Sequence, residues 1–496
     1  MTELISSVSV SDWITVLAAL TFLVLFLALI ERFSRRFSGD NFYLRKIVHI
    51  ITGLLIFAIS VKIDNNLPLL IIAAFFIFFN WWAVKRHQLQ SIHLNNRSWG
   101  TVYYAASIFL LALLLWNSYK MIFLAAILIM ILPDALAGLA GRWFAHRHFT
   151  ILSEKKSILG AIVMFVSSFL ILYCFFSHSS GSGAAFSLTA ALFTALPVTF
   201  AELLSHRGSD NLSVPLLSAL LIYGFLQGED AAFGLIAGIL FSLMVSIVSY
   251  KIRFLDAGGA AGAFLLGLII FGFGGWLFTI PILVFYITSS LLSATGKKRK
   301  KKYEASFEKT GLRDAMQVVA NGGIPGLLVL IWYFFSLPVL YNLYLAALAV
   351  ATADTWATEI GLLAGRRPRL ITSLERVGHG RSGAVSQAGF TAAIAGSAVI
   401  ALSGRFCNPE ITNGLVMTAV VIVSGFLGNI IDSFLGASFQ AQFRCSECGR
   451  LTEKRIHCKR RSDHESGYLF MNNDFVNILS IFSGCVIFII FNIIFL

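Results

Sequence analysis

The residues best suited to chemistry are carboxylates set in apolar sequence, each trailed by small residues and then by a basic, glycine-containing stretch. Asp134 stands in Pro133-Asp134-Ala135-Leu136-Ala137-Gly138-Leu139-Ala140-Gly141-Arg142, ahead of Lys155-Lys156-Ser157-Ile158-Leu159-Gly160. Asp354 stands in Ala353-Asp354-Thr355-Trp356-Ala357-Thr358-Glu359-Ile360-Gly361, ahead of Arg376-Val377-Gly378-His379-Gly380-Arg381-Ser382-Gly383. Each Asp has Ala three residues on and Gly at +4 or +7. Each set is followed by another acid, Glu202 or Asp432, and then by Asp210-Asn211 or Asn473-Asp474. Carboxylates facing Lys and Arg across a glycine-containing turn suit a magnesium–nucleotide complex. Mg²⁺ takes one or two carboxylates plus phosphate oxygens, and the cations offset charge on a transferring phosphoryl group. The chain holds no GxxxxGK[ST] loop and no soluble-kinase signature, so nucleotide chemistry here needs a membrane-specific site.

Each feature has a plainer reading. Gly138 and Gly141 serve helix packing alone in many membrane proteins. A buried Asp pairs structurally with Arg142 or Arg366. His49, in Arg45-Lys46-Ile47-Val48-His49, reads as interfacial, and Glu202 and Asp432 as solvated helix ends. The functional reading gains from their joint placement, twice over.

The elements that position these residues are membrane helices. Hydrophobic residues make up 57% of the 496-residue chain and charged residues 13%, against about 25% charged in soluble proteins. The mean hydropathy is +0.80. About sixteen apolar runs are long enough to cross a ~30 Å hydrocarbon core. They are 13–30, 47–61, 67–84, 102–116, 121–140, 158–176, 184–204 and 212–226, then 231–250, 258–273, 276–294, 318–335, 340–363, 384–402, 411–434 and 476–496. The expected fold is therefore all-α and polytopic. The first run, followed by Arg32, Arg35 and Arg36, reads as a signal anchor with its N-terminus outside.

Loops after even-numbered runs hold only Lys62, Lys120 and Arg405, which leaves 35 of the 38 Lys and Arg on the other side. The positive-inside rule makes that side cytoplasmic, with both termini outside, at the cell membrane if the source is bacterial. The +13 net charge is thereby explained by orientation and juxtamembrane contact, and no nucleic-acid partner is expected. The run Lys297–Lys302 fits anionic lipid or a stop signal. Asp134 falls ~20 Å along its helix from the outer end, below the cytoplasmic surface, and Asp354, Glu359 and Asp432 lie at similar depths.

The outer loop Gly228-Glu229-Asp230 divides the chain into 1–228 and 229–496, two halves that share an order of polar features as an ancient duplication would. Residues 40–225 carry Arg45-Lys46-xx-His49, Asp134-Ala135-xx-Gly138-xx-Gly141, Lys156-Ser157-xx-Gly160, Glu202 and Asp210-Asn211-Leu212-xx-Pro215. In this order they resemble the CTP-dependent polyprenol kinases, the phytol and dolichol kinases. Residues 231–496 carry Gly258-Gly259-Ala260-xx-Ala263, Arg313-Asp314-Ala315-Met316-Gln317-Val318-xx-Asn321-Gly322-Gly323, the Asp354 motif, Gly383-xx-Ser386-xx-Gly389 and Asp432-Ser433-xx-Gly436-Ala437. This half resembles the transmembrane protein 19 family, which includes plant phytyl-phosphate kinase.

The resemblance implies two successive kinases, one forming a prenyl monophosphate and one the diphosphate, with CTP and Mg²⁺. Asp134, Glu202 and Asp210 would hold metal or accept the alcohol proton in the first site, with Lys46 and Lys156 on phosphate. Asp354, Glu359, Asp432 and Asp474 would serve the second, with Arg313, Arg376 and Arg381 on phosphates and Asn321 as a polar anchor. The prenol, the nucleotide and membrane lipids are the expected partners, and a homo-oligomer stays open. Two rivals remain: a lipid or ion-coupled transporter or flippase, whose buried acids would bind H⁺ or Na⁺, and a CTP-dependent lipid cytidylyltransferase.

One further motif stands apart. Cys445-Ser446-Glu447-Cys448, followed by His457-Cys458, lies in a basic loop spanning 438–475. A CxxC with a third Cys nearby suits Zn²⁺ in a reducing compartment. His457 or His464 would be the fourth ligand, and unliganded thiols are the alternative. Six cysteines without a paired spacing make a disulfide framework improbable.

Overall fold

The computed structural model describes residues 8–34, 42–86, 98–152, 154–179, 183–295, 312–365, 367–410 and 414–495. Arg35, Arg36, Arg366 and the run Lys297–Lys302 lie outside the described residues. The chain divides into two compact units, Met1–Phe233 and Gly234–Leu496.

In the first unit the helices are α1 (Val10–Ser34), α2 (Phe42–Lys62), α3 (Leu67–Lys85), α4 (Gly100–Trp143), α5 (Ile158–Ser179), α6 (Ala184–Leu203) and α7 (Asp210–Phe225). A short antiparallel hairpin, β1 (His148–Ile151) with β2 (Glu154–Ser157), precedes α5. Helix α4 is the hub and packs on α2, α3, α5 and α7. Its continuity breaks at Tyr119, whose φ −141° and ψ 39° are not helical. The second segment, Ile122–Ile131, is almost wholly buried. At one end of this bundle the Asp12 carboxylate takes the backbone N–H of Asn65 at 3.2 Å, and Lys120 donates to the Ile63 carbonyl at 2.6 Å. The start of α2 and the ends of α4 and α6 meet at the other end.

The second unit begins with α8 (Glu229–Lys251), whose first residues precede the division. It continues with α9 (Ala257–Ala294), α10 (Ala315–Phe335), α11 (Pro338–Ala364), α12 (Gln387–Cys407), α13 (Gly414–Ser438) and α14 (Asn473–Phe495). Helix α9 turns at Gly275, which has φ 61°. Helix α11 is buried at every position from Leu340 to Ala353, enclosed by α9, α10, α12, α13 and α14. Its neighbours approach through missing side chains: a Cβ on Gly428 or Gly484 would fall 2.4 or 2.3 Å from the Val350 side chain. Strands β3 (Arg369–Leu370) and β4 (Ala384–Val385) pair ahead of α12. Between α13 and α14 lies a small ribbon. Strand β5 (Gln442–Arg444) sits between β6 (Leu451–Thr452) and β9 (Asp463–Ser466), beside the hairpin of β7 (Ile456–His457) and β8 (Arg460–Arg461).

Among the described residues, twelve helices are long and apolar enough to cross a membrane, fewer than the sixteen runs read from the sequence. Two of the twelve, α4 and α9, each take in two runs across a kink. Helix α7 is shorter, and α11 is a core helix enclosed by protein. The outward faces are apolar: Leu25, Phe78 and Leu114 are 67%, 65% and 69% exposed. Lipid is the solvent that accommodates such a surface, and the protein is a multi-pass integral membrane protein.

Candidate functional sites

The first unit gathers its acids and lysines at one end of the bundle. Asp134 follows Pro133, which removes one rung from the helix ladder. Its carboxylate accepts from Lys46 Nζ at 2.8 Å, and the same ammonium reaches the Asp134 carbonyl at 3.2 Å. His49, one turn along α2 from Lys46, lies 3.6 Å from the Asp134 carboxylate, while its Nε2 meets the Met130 carbonyl at 3.0 Å. That bond needs the proton on Nε2. The Tyr104 ring packs edge-on against His49, and its hydroxyl is buried with no hydrogen-bond partner.

Lys156, on β2, donates to the Glu202 carboxylate at 2.7 Å, the Glu202 carbonyl at 2.8 Å and Ser205 Oγ at 2.8 Å. Asp210 opens α7 within electrostatic reach of Asp134, Lys156, Lys46 and Glu202. Glu202 is therefore no solvated helix end, and His49 is no interfacial residue; both belong to one half-buried constellation. Arg142, the structural partner considered for Asp134, lies over the Phe42 ring at 4.5 Å.

The glycines explain themselves by distance. A Cβ on Gly138 would sit 2.8 Å from Lys46 Cε, so this position makes room for the lysine. Cβ atoms on Gly141 and Gly160 would sit 2.7 and 2.9 Å from Ser157 Oγ, which accepts the Gly160 N–H at 3.0 Å. The second unit repeats the contact. Ser386 caps α12 by accepting the Gly389 N–H at 3.1 Å, and Cβ atoms on Gly361 and Gly389 would meet Ser386 Oγ at 3.3 and 3.2 Å. Gly160 abuts the carbonyl of Ala137, and Gly389 that of Ala357. Each alanine lies three residues after its Asp.

Around this second contact the unit opens a cavity of about 630 Å³. Asp354, Glu359, Asp432, Arg313, Asn321 and Arg381 line it. Ser293 Oγ donates to the Glu359 carboxylate at 2.5 Å, and Arg313 lies within electrostatic reach of Glu359. Asp432 interacts with Asp354, and Asp354 with Glu359, so three carboxylates share one space. Asp432 is half-buried, and its buried Oδ2 has no hydrogen-bond partner. Such a donor set suits a hard divalent cation. Two residues of the expected set are not among the lining: Arg376 is exposed in the β3–β4 segment, and Asp474 is buried in the first turn of α14. Asn473 and Asn477 line the wall at the start of α14 instead, together with Asn429 on α13. The sequence signal for Asn477 was its spacing, one turn after Asn473.

In the ribbon, Cys445, Cys448, His457 and Cys458 bring their ligand atoms within 4.8 Å of one another, and His464 instead packs edge-on against Phe443. Backbone N–H groups of Cys448 and Glu447 hold the Cys445 thiol down to about 6, whereas desolvation pushes Cys458 up to about 11.

Residues 240–485 match the family described as integral membrane protein DUF92. The chain is 31% identical over 271 residues to Protein PGR of Arabidopsis thaliana, a match covering 50% of this chain and 93% of that protein. It is 32% identical over 217 residues to a phytol kinase of Synechocystis sp., covering 42% of this chain and 91% of that one. Protein VTE6, chloroplastic, of Arabidopsis thaliana is 26% identical over 242 residues, 47% of this chain and 64% of that protein. No solved structure matches the chain.

Proposed function

The chain belongs to the integral membrane protein family DUF92, its match running over residues 240–485, and on that footing we propose that it is a two-site, CTP-dependent prenol kinase of the membrane. The first unit converts an isoprenoid alcohol such as phytol to its monophosphate, and the second converts the monophosphate to the diphosphate. The observation that carries this reading is the same Asp–Ala–Gly helix packed on a Ser-x-x-Gly cap, built once around two lysines and once around an acid-lined cavity. A volume of about 630 Å³ lies within the usual range of small-ligand sites. The phytol kinase among the relatives supports the substrate class.

In the first site Asp134, held by Lys46, accepts the hydroxyl proton as the prenol oxygen bonds to the γ-phosphorus of CTP. The bond to the β–γ bridging oxygen breaks, and CDP leaves with the electron pair. Lys156, fixed by Glu202 and Ser205, positions the phosphate oxygens. In the second site the acceptor is already an oxyanion, so no base is needed. Arg313 and Arg381 bind and orient the two phosphates, and Asn321 fixes one edge of the ligand. Asp354, Glu359 and Asp432 would hold Mg²⁺, which supplies charge neutralisation at the transferring group. The polar ends of both sites face the cytoplasm, and the prenyl tail lies in hydrocarbon.

The test is purified protein with a prenol and CTP labelled in turn at the γ- and α-phosphate. Label from γ on mono- and diphosphate is expected. Label from α identifies cytidylyl transfer; no label, with solute flux across liposomes, identifies a transporter. Asp134→Ala should abolish monophosphate formation, and Asp354→Ala should abolish only the second step.

A further inference from the structure

The ribbon between α13 and α14 takes no part in the chemistry above, yet it holds a preorganised set of soft ligands, and its Glu453 reaches the cavity of the second unit. Cys448 Sγ and Cys458 Sγ lie 3.5 and 3.2 Å from His457 Nδ1. Ligands at about 2.3 Å (sulfur) and 2.0 Å (nitrogen) from a tetrahedral ion are separated by roughly this much. The chain pays in backbone strain to reach this arrangement. His457 pairs with Arg460 across a two-residue turn, and both turn residues, Cys458 (φ 49°) and Lys459 (φ 61°), are left-handed without being glycine. Turns of this kind ordinarily take Asn-Gly, and strain of this sort persists where something over-determines it. Across the ribbon, Gly449 at φ 68° closes a tight turn whose N–H returns to the Cys445 carbonyl at 2.9 Å, placing Cys445 and Cys448 side by side. Three thiolates and a neutral imidazole on a divalent ion leave one net negative charge. The 444–461 stretch answers it with seven Arg or Lys and only Glu447 and Glu453 as acids.

The turn that carries Cys445 and Cys448 leads through β6 into Glu453, which accepts from Ser382 Oγ at 2.5 Å. Ser382 belongs to the Gly378–Gly383 loop at the rim of the cavity, and Glu453 lines the cavity itself. A second cavity of about 260 Å³ lies between this loop and Gln442 and Arg450 of the ribbon, and Ser382–Glu453 ties the two segments across it. We propose that Cys445, Cys448, His457 and Cys458 form a closed, structural zinc site, and that the zinc-held ribbon pins the Gly378–Gly383 loop over the second site through Glu453.

The experiment is elemental analysis of the full chain purified without chelator, followed by hydrogen exchange before and after zinc is stripped. We expect about one zinc per chain and no comparable iron, as befits a four-ligand site, with zinc lost in Cys445→Ser/Cys448→Ser. On stripping, exchange in 378–383 should rise about tenfold, the mark of local opening, while 148–160 in the first unit stays unchanged and reports that the chain is still folded. His457→Gln, which removes one ligand only, provides a milder variant should the double one misfold. Zinc absent from the wild type, or equally present in Cys445→Ser/Cys448→Ser, overturns the site. A Cys448–Cys458 disulfide in protein isolated with thiols blocked does the same. Zinc bound with no change at 378–383 overturns the pinning. Neither readout uses kinase activity, so failure of the kinase assignment and failure of the zinc site are separate results.

Discussion

Gly138→Ala isolates the first site by adding one methyl group. The new Cβ would lie 2.8 Å from Lys46 Cε and 3.1 Å from its Nζ, whereas ordinary contact begins at 3.4 Å, so the end of the lysine must retreat by about 0.6 Å. That ammonium holds the Asp134 carboxylate at 2.8 Å. Because the lysine end is flexible, folding should change little: alanine is favoured over glycine in a helix by roughly 0.5–1 kcal/mol, which offsets most of the crowding. Chemistry is less forgiving, since a displacement near 1 Å can cost about 100-fold. We expect monophosphate formation to fall roughly 10- to 100-fold, or about 1.4–2.7 kcal/mol in the barrier. Diphosphate formation from supplied prenyl monophosphate should be unchanged. The two rates are read separately by mass spectrometry on one preparation in nanodiscs, with a thermal melt alongside. Full monophosphate activity would refute the role given to the Lys46–Asp134 pair. An equal fall in both rates would refute independent sites.

Two further perturbations extend this. Lys156→Met strands the half-buried Glu202 carboxylate, which should cost less than the roughly 3–5 kcal/mol of a fully buried pair; a melt should show it, and adding Glu202→Gln should restore most of the stability while monophosphate formation stays abolished. Asp432→Asn keeps the shape of the second site but withdraws a charge from its acid cluster, so diphosphate formation should need roughly tenfold more Mg²⁺ for half-maximal rate, with the monophosphate step as internal control.

The helices were legible because each is a long apolar run, and each of the sixteen runs is helical over most of its described length, the run at 384–402 beginning instead with strand β4. Whether a run stands in lipid or in the protein core was not legible. Helix α11 reads much like its neighbours, yet its enclosure on all sides follows only from tertiary packing against Gly428 and Gly484. The acids and glycines of the two motifs were legible as a pattern, since spacing along one helix fixes which residues share a face. Their partners were not. Lys46 meets Asp134 across 88 residues, and no spacing rule reaches that far. His49 was passed over for the same reason: a lone histidine near a helix start carries no local sign of what it faces. At the start of α14, counting residues singled out Asp474, but helix rotation turns Asn473 and Asn477 to the cavity. A helix that is apolar all round gives no stripe from which to read that rotation.

The contrast between the sites argues for two acceptors of different charge. In the first, lysines are already committed to carboxylates, Lys46 to Asp134 and Lys156 to Glu202. An acid braced in this way is suited to a neutral hydroxyl, which brings a proton to remove and no charge to balance. In the second, the helix that follows α8 opens with Gly258-Gly259-Ala260 and offers no lysine at that end. The cations come instead from Arg313, ahead of α10, and Arg381, on the β3–β4 loop, and they border an open cavity. Guanidinium groups bind phosphate oxygens through paired donors, as a phosphomonoester acceptor beside a nucleotide requires. If the same fold is used twice in sequence, the product of the first site must be the more anionic substrate of the second, and the exchange of carboxylate-paired lysine for cavity-facing arginine is the change that this order demands.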